Sequence, residues 1–507
     1  MWRTIIAILL ASATLLAVPT THAQTPVASD WQTTTPESQG LDSAALAKGL
    51  LAIRDSGMPI HSLLIARNDK ILLDAYFYPY DGADPHDLAS VTKSVTTTLV
   101  GIAIDQNLLS LDDPVLSFFP DRTIANRDER KEKMTVGDLA SMTSGLKCIA
   151  EPNEQTLAEM EVSLDYVQFA LDLPMSSDPG TEYTYCSPNM HLLSAVLTKA
   201  SGMSELDFAK KYLFGPLGIT NVVWPADSQG FTHGWGDLYL QPRDAAKIGQ
   251  LWLNQGDWNG TRVVSKAWVA DASSVHAKRP ADEDDDYGYG WYIARESDVG
   301  GEISAQGRGG QQIQIFPSLG AEIVITAAGI DPGQATDLIT PALVDPTKTL
   351  PANPAGEKEL SEAVRVVAQP REPQPVKPLP PVAAKISGVE FCFAPNPLDL
   401  ASLLLTFNET SVAQIQLTFS GDQPPVGGEV GLDGNYRLAP GRYEFPFGLR
   451  GQWVDQQTFA LAYDQIANLD AYDARVTFSM DGQSVSMEIK ERTEAGSVTL
   501  EGRVCTG

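Results

Sequence analysis

Two periodicities divide this chain. After residue 90, apolar side chains recur as Val91, Val95, Leu99 and Ile102, which is the spacing of one helical face. That spacing predicts an amphipathic helix opening at Ser90. Before it, Leu64-Ile65-Ala66-Arg67-Asn68-Asp69-Lys70 reads as a hairpin. Further strands are expected near 62–76, 289–294, 312–316 and 322–327, around a long helical middle. Glu357 to Val367 reads as one short helix. Near the C-terminus the period changes to two: Ile415, Leu417 and Phe419; Phe459, Leu461 and Tyr463; Val476, Phe478 and Met480; Val485, Met487 and Ile489. Met480-Asp481-Gly482-Gln483 supplies a hairpin turn there.

Between the two patterns, six of the twelve residues from Pro370 to Pro381 are proline, a semi-rigid polyproline stretch. The N-terminus carries Arg3, an apolar run from Ile5 to Val18, and Thr21-His22-Ala23, the three parts of a secretory signal peptide. The run is short for a membrane span. The expected organisation is a leader over 1–23, an α+β domain over 30–352, a helix and Pro-rich linker over 353–383, and an all-β barrel or sandwich over 384–507. The last segment carries no legible chemistry: binding substrate, covering an active site and adding stability all fit it. The protein is expected to be exported, to the periplasm or outside the cell, without stable membrane insertion.

A formal net charge of −28 argues against nucleic acid or anionic membranes as partners. The acidic run Asp282 to Asp286 reads as a solvated loop, because it lacks the spaced ligands and glycine of a calcium loop. The six histidines form no His-x-His or His-Glu-x-x-His arrangement, so no metal site is expected. His191 reads as a satisfied packing residue. No Gly-x-Ser-x-Gly elbow and no phosphate-binding glycine loop in the right context appear, and no cofactor is expected. Four cysteines in an exported chain suggest disulfides. Pairing within each domain gives Cys148–Cys186 and Cys392–Cys505; the alternative for Cys186 is a free buried thiol. Protein partners are not legible.

The chemistry lies in two short stretches, Ala89-Ser90-Val91-Thr92-Lys93-Ser94 and Tyr185-Cys186-Ser187. On a helix, residues three apart share a face, so Lys93 stands one turn from the Ser90 hydroxyl. A serine needs a base, and a lysine can serve if burial strips its charge. A serine in the first helical turn also gains from free N–H groups and the positive helix end. Ser90 with Lys93 alone could equally be an N-cap and a solvated lysine. The spacing recurs at Ser144 and Lys147, but Gly145 follows Ser144 at once and marks a turn.

Further stretches accompany these: Leu109-Ser110-Leu111-Asp112-Asp113-Pro114, Met134-Thr135-Val136-Gly137-Asp138-Leu139, Met142-Thr143-Ser144-Gly145-Leu146, Pro179-Gly180-Thr181 and Tyr287-Gly288-Tyr289-Gly290-Trp291. Together the chain from about Ser38 to Pro351 resembles the superfamily of class C β-lactamases, penicillin-binding proteins and related esterases, whose members combine Ser-x-x-Lys, Tyr-x-Asn and a Lys-Thr-Gly-type strand. The resemblance implies an antiparallel sheet flanked by helices plus a helical cluster, with the active site between them and Ala305–Gln311 as its sheet-side wall. It implies Ser90 as acyl-enzyme nucleophile with Lys93 and Tyr185 as acid and base. Ser187, Gly307, Arg308, Gly310 and Gln311 become candidates for substrate or oxyanion binding, while the same glycines also suit a tight bend feeding an edge strand.

Two departures matter. Ser187 stands where β-lactamases usually carry Asn. Ala305-Gln306-Gly307-Arg308-Gly309-Gly310-Gln311 has no lysine or histidine to begin the Lys-Thr-Gly element. The form resembles the esterase and short-amide hydrolase branch, which includes 6-aminohexanoate-dimer hydrolases. The expected function is a serine hydrolase of small esters or amides. The alternatives are a β-lactamase or D,D-peptidase, or a non-catalytic relative binding peptidoglycan fragments or D-peptides.

Overall fold

Runs of Ile, Leu and Val from both ends of the region before the prolines pair with one another. The computed structural model describes residues 31–296, 301–407, 411–421, 425–493 and 496–506, so the leader expected over 1–23 lies outside the described residues. The chain forms two compact units, one of residues 31–76 and 82–366, the other of 77–81 and 367–506.

In the first unit the strands are β1 (Gln32–Thr33), β2 (Ile60–Arg67), β3 (Lys70–Tyr76), β4 (Asp285–Tyr287), β5 (Tyr292–Ala294), β6 (Ile303–Gly307), β7 (Gln311–Phe316) and β8 (Ala321–Ala327). They form one sheet in the order β1-β3-β2-β8-β7-β6-β5-β4. The early hairpin and the late strands therefore meet at the β2–β8 pair, with Ile65 opposite Ile323. Every residue of β2 is buried, as expected of a central strand covered on both faces. The bend between β6 and β7 is the tight turn Arg308–Gly310, with Gly309 at φ 80°. β6 is an interior strand rather than an edge, since β5 and β4 lie beyond it.

Among the helices are α1 (Ser43–Ser56), α2 (Val91–Asp105), α3 (Ser187–Ser201) and α4 (Pro242–Leu253), of which α2 and α4 pack on this sheet. The Asp42 carboxylate caps α1 by accepting from the Ala44 and Ala45 N–H groups. α2 packs on α3, and α4 on β7 and β8. α2 departs from the amphipathic expectation, because every residue from Val91 to Ala103 is buried. Its hydroxyls make this affordable. Thr98 donates to the Ser94 carbonyl within the helix, Ser94 to Gly290 and Thr96 to Gly234. The acidic run is an exposed loop over Asp282–Asp284, as expected, but departs from that reading at its end. Asp286 is buried, bonded to Lys278 at 2.6 Å and to Arg295 at 2.9 Å, and Asp285 pairs with Arg279. His191 is buried with Nε2 3.0 Å from the Asp227 carboxylate.

The second unit is a barrel of β9 (Val389–Phe393), β10 (Leu400–Thr406), β11 (Val412–Phe419), β12 (Val426–Gly431), β13 (Arg437–Pro440), β14 (Pro446–Trp453), β15 (Thr458–Gln465), β16 (Ala471–Phe478), β17 (Ser484–Glu491) and β18 (Val498–Val504). The order is β12-β11-β10-β9-β18-β17-β16-β15-β14-β13, and β12 also meets β14 at Gly431 and Arg450, which closes the ring. Ile415, Phe419, Leu461, Val476, Phe478, Met487 and Ile489 are buried as alternation predicts. Met480 is not. It is exposed in the turn between β16 and β17. The Cys392–Cys505 disulfide joins the β9 and β18 ends of this unit, with Cα atoms 5.1 Å apart.

One cost stands out in the first unit. Glu322 in β8 is fully buried, and neither carboxyl oxygen has a hydrogen-bond partner among the described residues. Burial, and then Asp69, hold its pKa well above the usual carboxylate range. The unfolded chain ionises Glu322 near its ordinary pKa while the folded chain keeps it neutral. The pH-dependent part of its effect on stability is therefore absent below that ordinary pKa and becomes increasingly unfavourable as pH rises toward the folded value. Glu322→Met, which conserves volume, is expected to raise Tm. Its advantage over wild type should widen from pH 5 to pH 8 by up to ~1.4 kcal/mol per pH unit. Denaturant unfolding across that range checks this; an advantage independent of pH contradicts it.

Candidate active site

The site is built where α2 begins. Ala89 sits at φ 46°, a left-handed conformation that costs free energy for a residue with a side chain. Its N–H is tied to the Asp87 carboxylate at 2.8 Å. The Val91 and Thr92 N–H groups are committed to Leu88 and Ala89 carbonyls. Among the described residues, none accepts from the Ser90 N–H, and Ser90 stands at the N-terminal, positive end of a helix of fifteen residues.

Lys93, one turn on, donates from Nζ to Ser90 Oγ at 2.8 Å and to the Trp235 carbonyl at 2.8 Å. It is 2 % exposed, and burial pulls its pKa down to about 8 against the opposing pull of Glu154 and Asp237. Tyr185 precedes α3 and donates its hydroxyl to Ser90 Oγ at 2.8 Å. The Lys93 ammonium nitrogen lies 4.9 Å from the Tyr185 ring centre. Burial, then Glu154, raise the Tyr185 pKa well above that of a free phenol. Ser90, Lys93 and Tyr185 are thus brought together.

The Cys148–Cys186 disulfide holds the residue next to Tyr185 to the loop after Ser144, across a separation of 38 residues. Ser187 opens α3, is buried and donates its hydroxyl to Glu154. Ser144 is directed elsewhere: its hydroxyl donates to Asn189 at 2.9 Å, Gly145 turns at φ 75°, and Lys147 is exposed.

The sheet-side candidates separate into two groups. β6 pairs with β5 only at Ile303 and Ser304, so the edge over Ala305–Gly307 is without a strand partner among the described residues. That edge passes the serine loop. A Cβ on Gly307 would stand 2.7 Å from the Leu88 carbonyl and 3.1 Å from the Ala89 Cβ. Arg308 is exposed on the same turn, and its charge bears on Glu161. Gly310 and Gln311 face the other way. Gly310 abuts Ile330. The Gln311 amide donates to the Ala327 carbonyl at 2.6 Å and accepts from its N–H at 3.1 Å. Gln311 thereby locks β7 to the end of β8. Gln306 donates to Asp285 at 3.0 Å.

Sequence reasoning missed Glu154, Asp237 and the Trp235 carbonyl. Only Gly234-Trp235-Gly236 hints at the last, as a loop that can approach closely. Glu161 also belongs here; burial first, then Asp237 and Glu154, push its carboxyl up to about 8.

The Beta-lactamase family matches residues 43–342, more than half of the chain and all of this site, and the chain belongs to that family. It is by class a serine hydrolase. The chain is 23% identical over 310 residues to the 6-aminohexanoate-dimer hydrolase of Paenarthrobacter ureafaciens, covering 54% of this chain and 73% of that protein. It is 28% identical over 153 residues to a Beta-lactamase of Escherichia coli, covering 29% of this chain and 38% of that one. It is 27% identical over 214 residues to the lovastatin esterase of Penicillium rubens, covering 38% and 52%. The chain thus spans about a third to three-quarters of these relatives. A structure assigned as a 6-aminohexanoate-dimer hydrolase from Bacillus anthracis superposes with a TM-score of 0.53 at 16% identity, over 64% of this chain and 89% of that one. A structure assigned as a β-lactamase from Bacteroides dorei gives 0.50 at 19%, over 60% and 100%. At such identities these two speak for the fold alone.

Gly307 has an ordinary extended φ of −139°, so only the close approach demands glycine. Gly307→Ala is expected to push the strand off the serine loop and lower kcat/KM ~10²-fold, with a cooperative melt retained. Steady-state kinetics with an aryl ester, beside a thermal melt, check this; unchanged kinetics contradict it.

Proposed function

We propose that this protein is an exported hydrolase of small esters or amides that works through an acyl-enzyme on Ser90. The observation that carries the reading is the convergence of Lys93 Nζ and Tyr185 OH on Ser90 Oγ, each at 2.8 Å. The relatives' names, a 6-aminohexanoate-dimer hydrolase and a lovastatin esterase, support the substrate class. The two disulfides support export.

The two pKa shifts support a division of roles. A phenol held neutral by burial is a poor base, whereas a lysine lowered to about 8 is uncharged in part at neutral pH. Neutral Lys93 takes the Ser90 proton as Oγ bonds to the substrate carbonyl carbon. The Ser90 N–H, with an N–H from the open β6 edge, stabilises the oxyanion. Tyr185 gives its proton to the leaving oxygen or nitrogen as that bond breaks, and recovers one from the Lys93 ammonium. Water then reverses the path and frees Ser90.

The second reading, a β-lactamase or D,D-peptidase, is supported by the family match. Against it stands the stretch Ala305–Gln311, which has no lysine or histidine where those enzymes carry a cation and whose Gln306 is engaged with Asp285. A panel of p-nitrophenyl esters, nitrocefin, D-amino amides and short linear amides decides between them. Short aryl esters are expected to turn over much faster than nitrocefin. Equal turnover favours the second reading, and failure of a fluorophosphonate to label Ser90 favours a non-catalytic binding relative.

Because neutral Lys93 is the base, kcat/KM is expected to rise with pH through an apparent pKa of about 8. Lys93→Arg should abolish both the limb and the turnover, since arginine keeps its charge. Tyr185→Phe is expected to cut kcat by roughly 10²–10⁴. Stopped assays from pH 6 to 10 test this; an active Arg variant, or a Phe variant at full rate, sinks the assignment.

A further inference from the structure

The barrel of the second unit is packed unevenly along its axis. At one end, inward-facing Phe407, Trp453, Phe459 and Phe478 interlock, with ring centres 5.4 to 6.1 Å apart. A short helix, Pro381–Ile386, lies over that end. Ile386 joins the barrel core, and Lys385 Nζ donates to the Met480 carbonyl at 2.7 Å. Toward the other end the inward rows continue through Leu400, Ile415, Leu417, Phe447, Leu461 and Ile489, but they do not fill the interior. They line a cavity of about 110 Å³.

The lining fixes what the cavity can hold. It contains no charged residue, and only Tyr463 and Tyr472 bring a polar atom among its side chains. Of the nearby charged groups, Asp473 sits at an alternate, outward position, while buried Glu491 follows Ile489 in the inward row of β17 without lining the cavity. Arg492 lies 3.0 Å from Asp473 and 3.4 Å from Asp464. Walls of Leu, Ile and Phe offer a water too few polar partners to hold it. They offer dispersion contacts instead, which favour an apolar guest. Small barrels either fill this space with side chains or use it for one small ligand. A cavity of ~150 Å³ with comparable walls takes a single aromatic ring. Here the small side chain of Ala474 on β16 leaves part of the room.

We propose that the barrel is a binding site for one small, neutral, hydrocarbon-like molecule, the size of a single ring or a short acyl chain. The site is independent of the catalytic chemistry, and its failure would leave the hydrolase reading untouched. A carboxylate or ammonium is excluded from the cavity itself, because nothing charged lines it.

Saturation-transfer NMR on the full chain tests this with toluene as probe and benzoate as its charged counterpart. Toluene should give saturable transfer and benzoate none. Ala474→Phe and, separately, Leu417→Phe fill the cavity from different strands. Either variant that keeps a cooperative melt should weaken toluene binding at least tenfold. Crystals of the full chain under xenon pressure supply a test that needs no variant. Xenon should appear between Leu417, Phe447 and Ile489. Absence of saturable toluene binding, equal binding of benzoate, undiminished binding in a folded filled variant, or a barrel free of xenon would each overturn the proposal.

Discussion

An amine is held inside the protein one helical turn from a hydroxyl, and most of the catalytic unit answers to that burial. Lys93 is nearly inaccessible, so its charge is disfavoured and its proton becomes exchangeable near neutral pH. Burial alone would press the pKa further down; Glu154 and Asp237 oppose it. The Trp235 carbonyl occupies a second donor of the amine and fixes its direction toward Ser90. For α2 to place Lys93 there, it must itself be sunk in the core, and its threonines and serines must find acceptors within its own helix or on the glycine carbonyls beside it. The helix is thus chosen for where it puts one side chain rather than for its own propensity, since β-branched residues are poor helix formers.

The candidate site was legible where it depended on spacing. Ser90 and Lys93 share a helix face, and Tyr185 was marked by its own short motif. What could not be read was anything brought in by loops. The Trp235 carbonyl that bonds the amine, and Glu154 and Asp237 whose charges act on it, come from segments with no periodic pattern, so only folding joins them. The glycine-rich strand was half legible. Its composition announced a turn and a close approach, but not which glycine made which. Gly307 is the close approach and Gly309 the turn, while the Gln311 side chain ties β7 to β8.

The fold was more readable than the burial. Alternation identified the barrel strands, because inward and outward positions differ in kind there. It overreached at Met480, where the apolar row runs into the turn. The helical periodicity of α2 was real, but it could not reveal that the polar face was buried too, because buried hydroxyls with partners look in sequence like exposed ones. Asp286 misled in the same way. A buried carboxylate is indistinguishable from its solvated neighbours until Lys278 and Arg295 are seen beside it.

Glu322 has a companion. Glu205, also fully buried, has its carboxyl pushed up to about 8 by burial. Each carries a proton at neutral pH that the unfolded chain would give up, so the native state is a reservoir of bound protons. Denaturation near neutrality is then an acid-releasing reaction. The heat measured for it includes the heat of the buffer that takes up those protons. Two buffers at one pH but with different ionisation enthalpies would report different unfolding enthalpies for the same molecule.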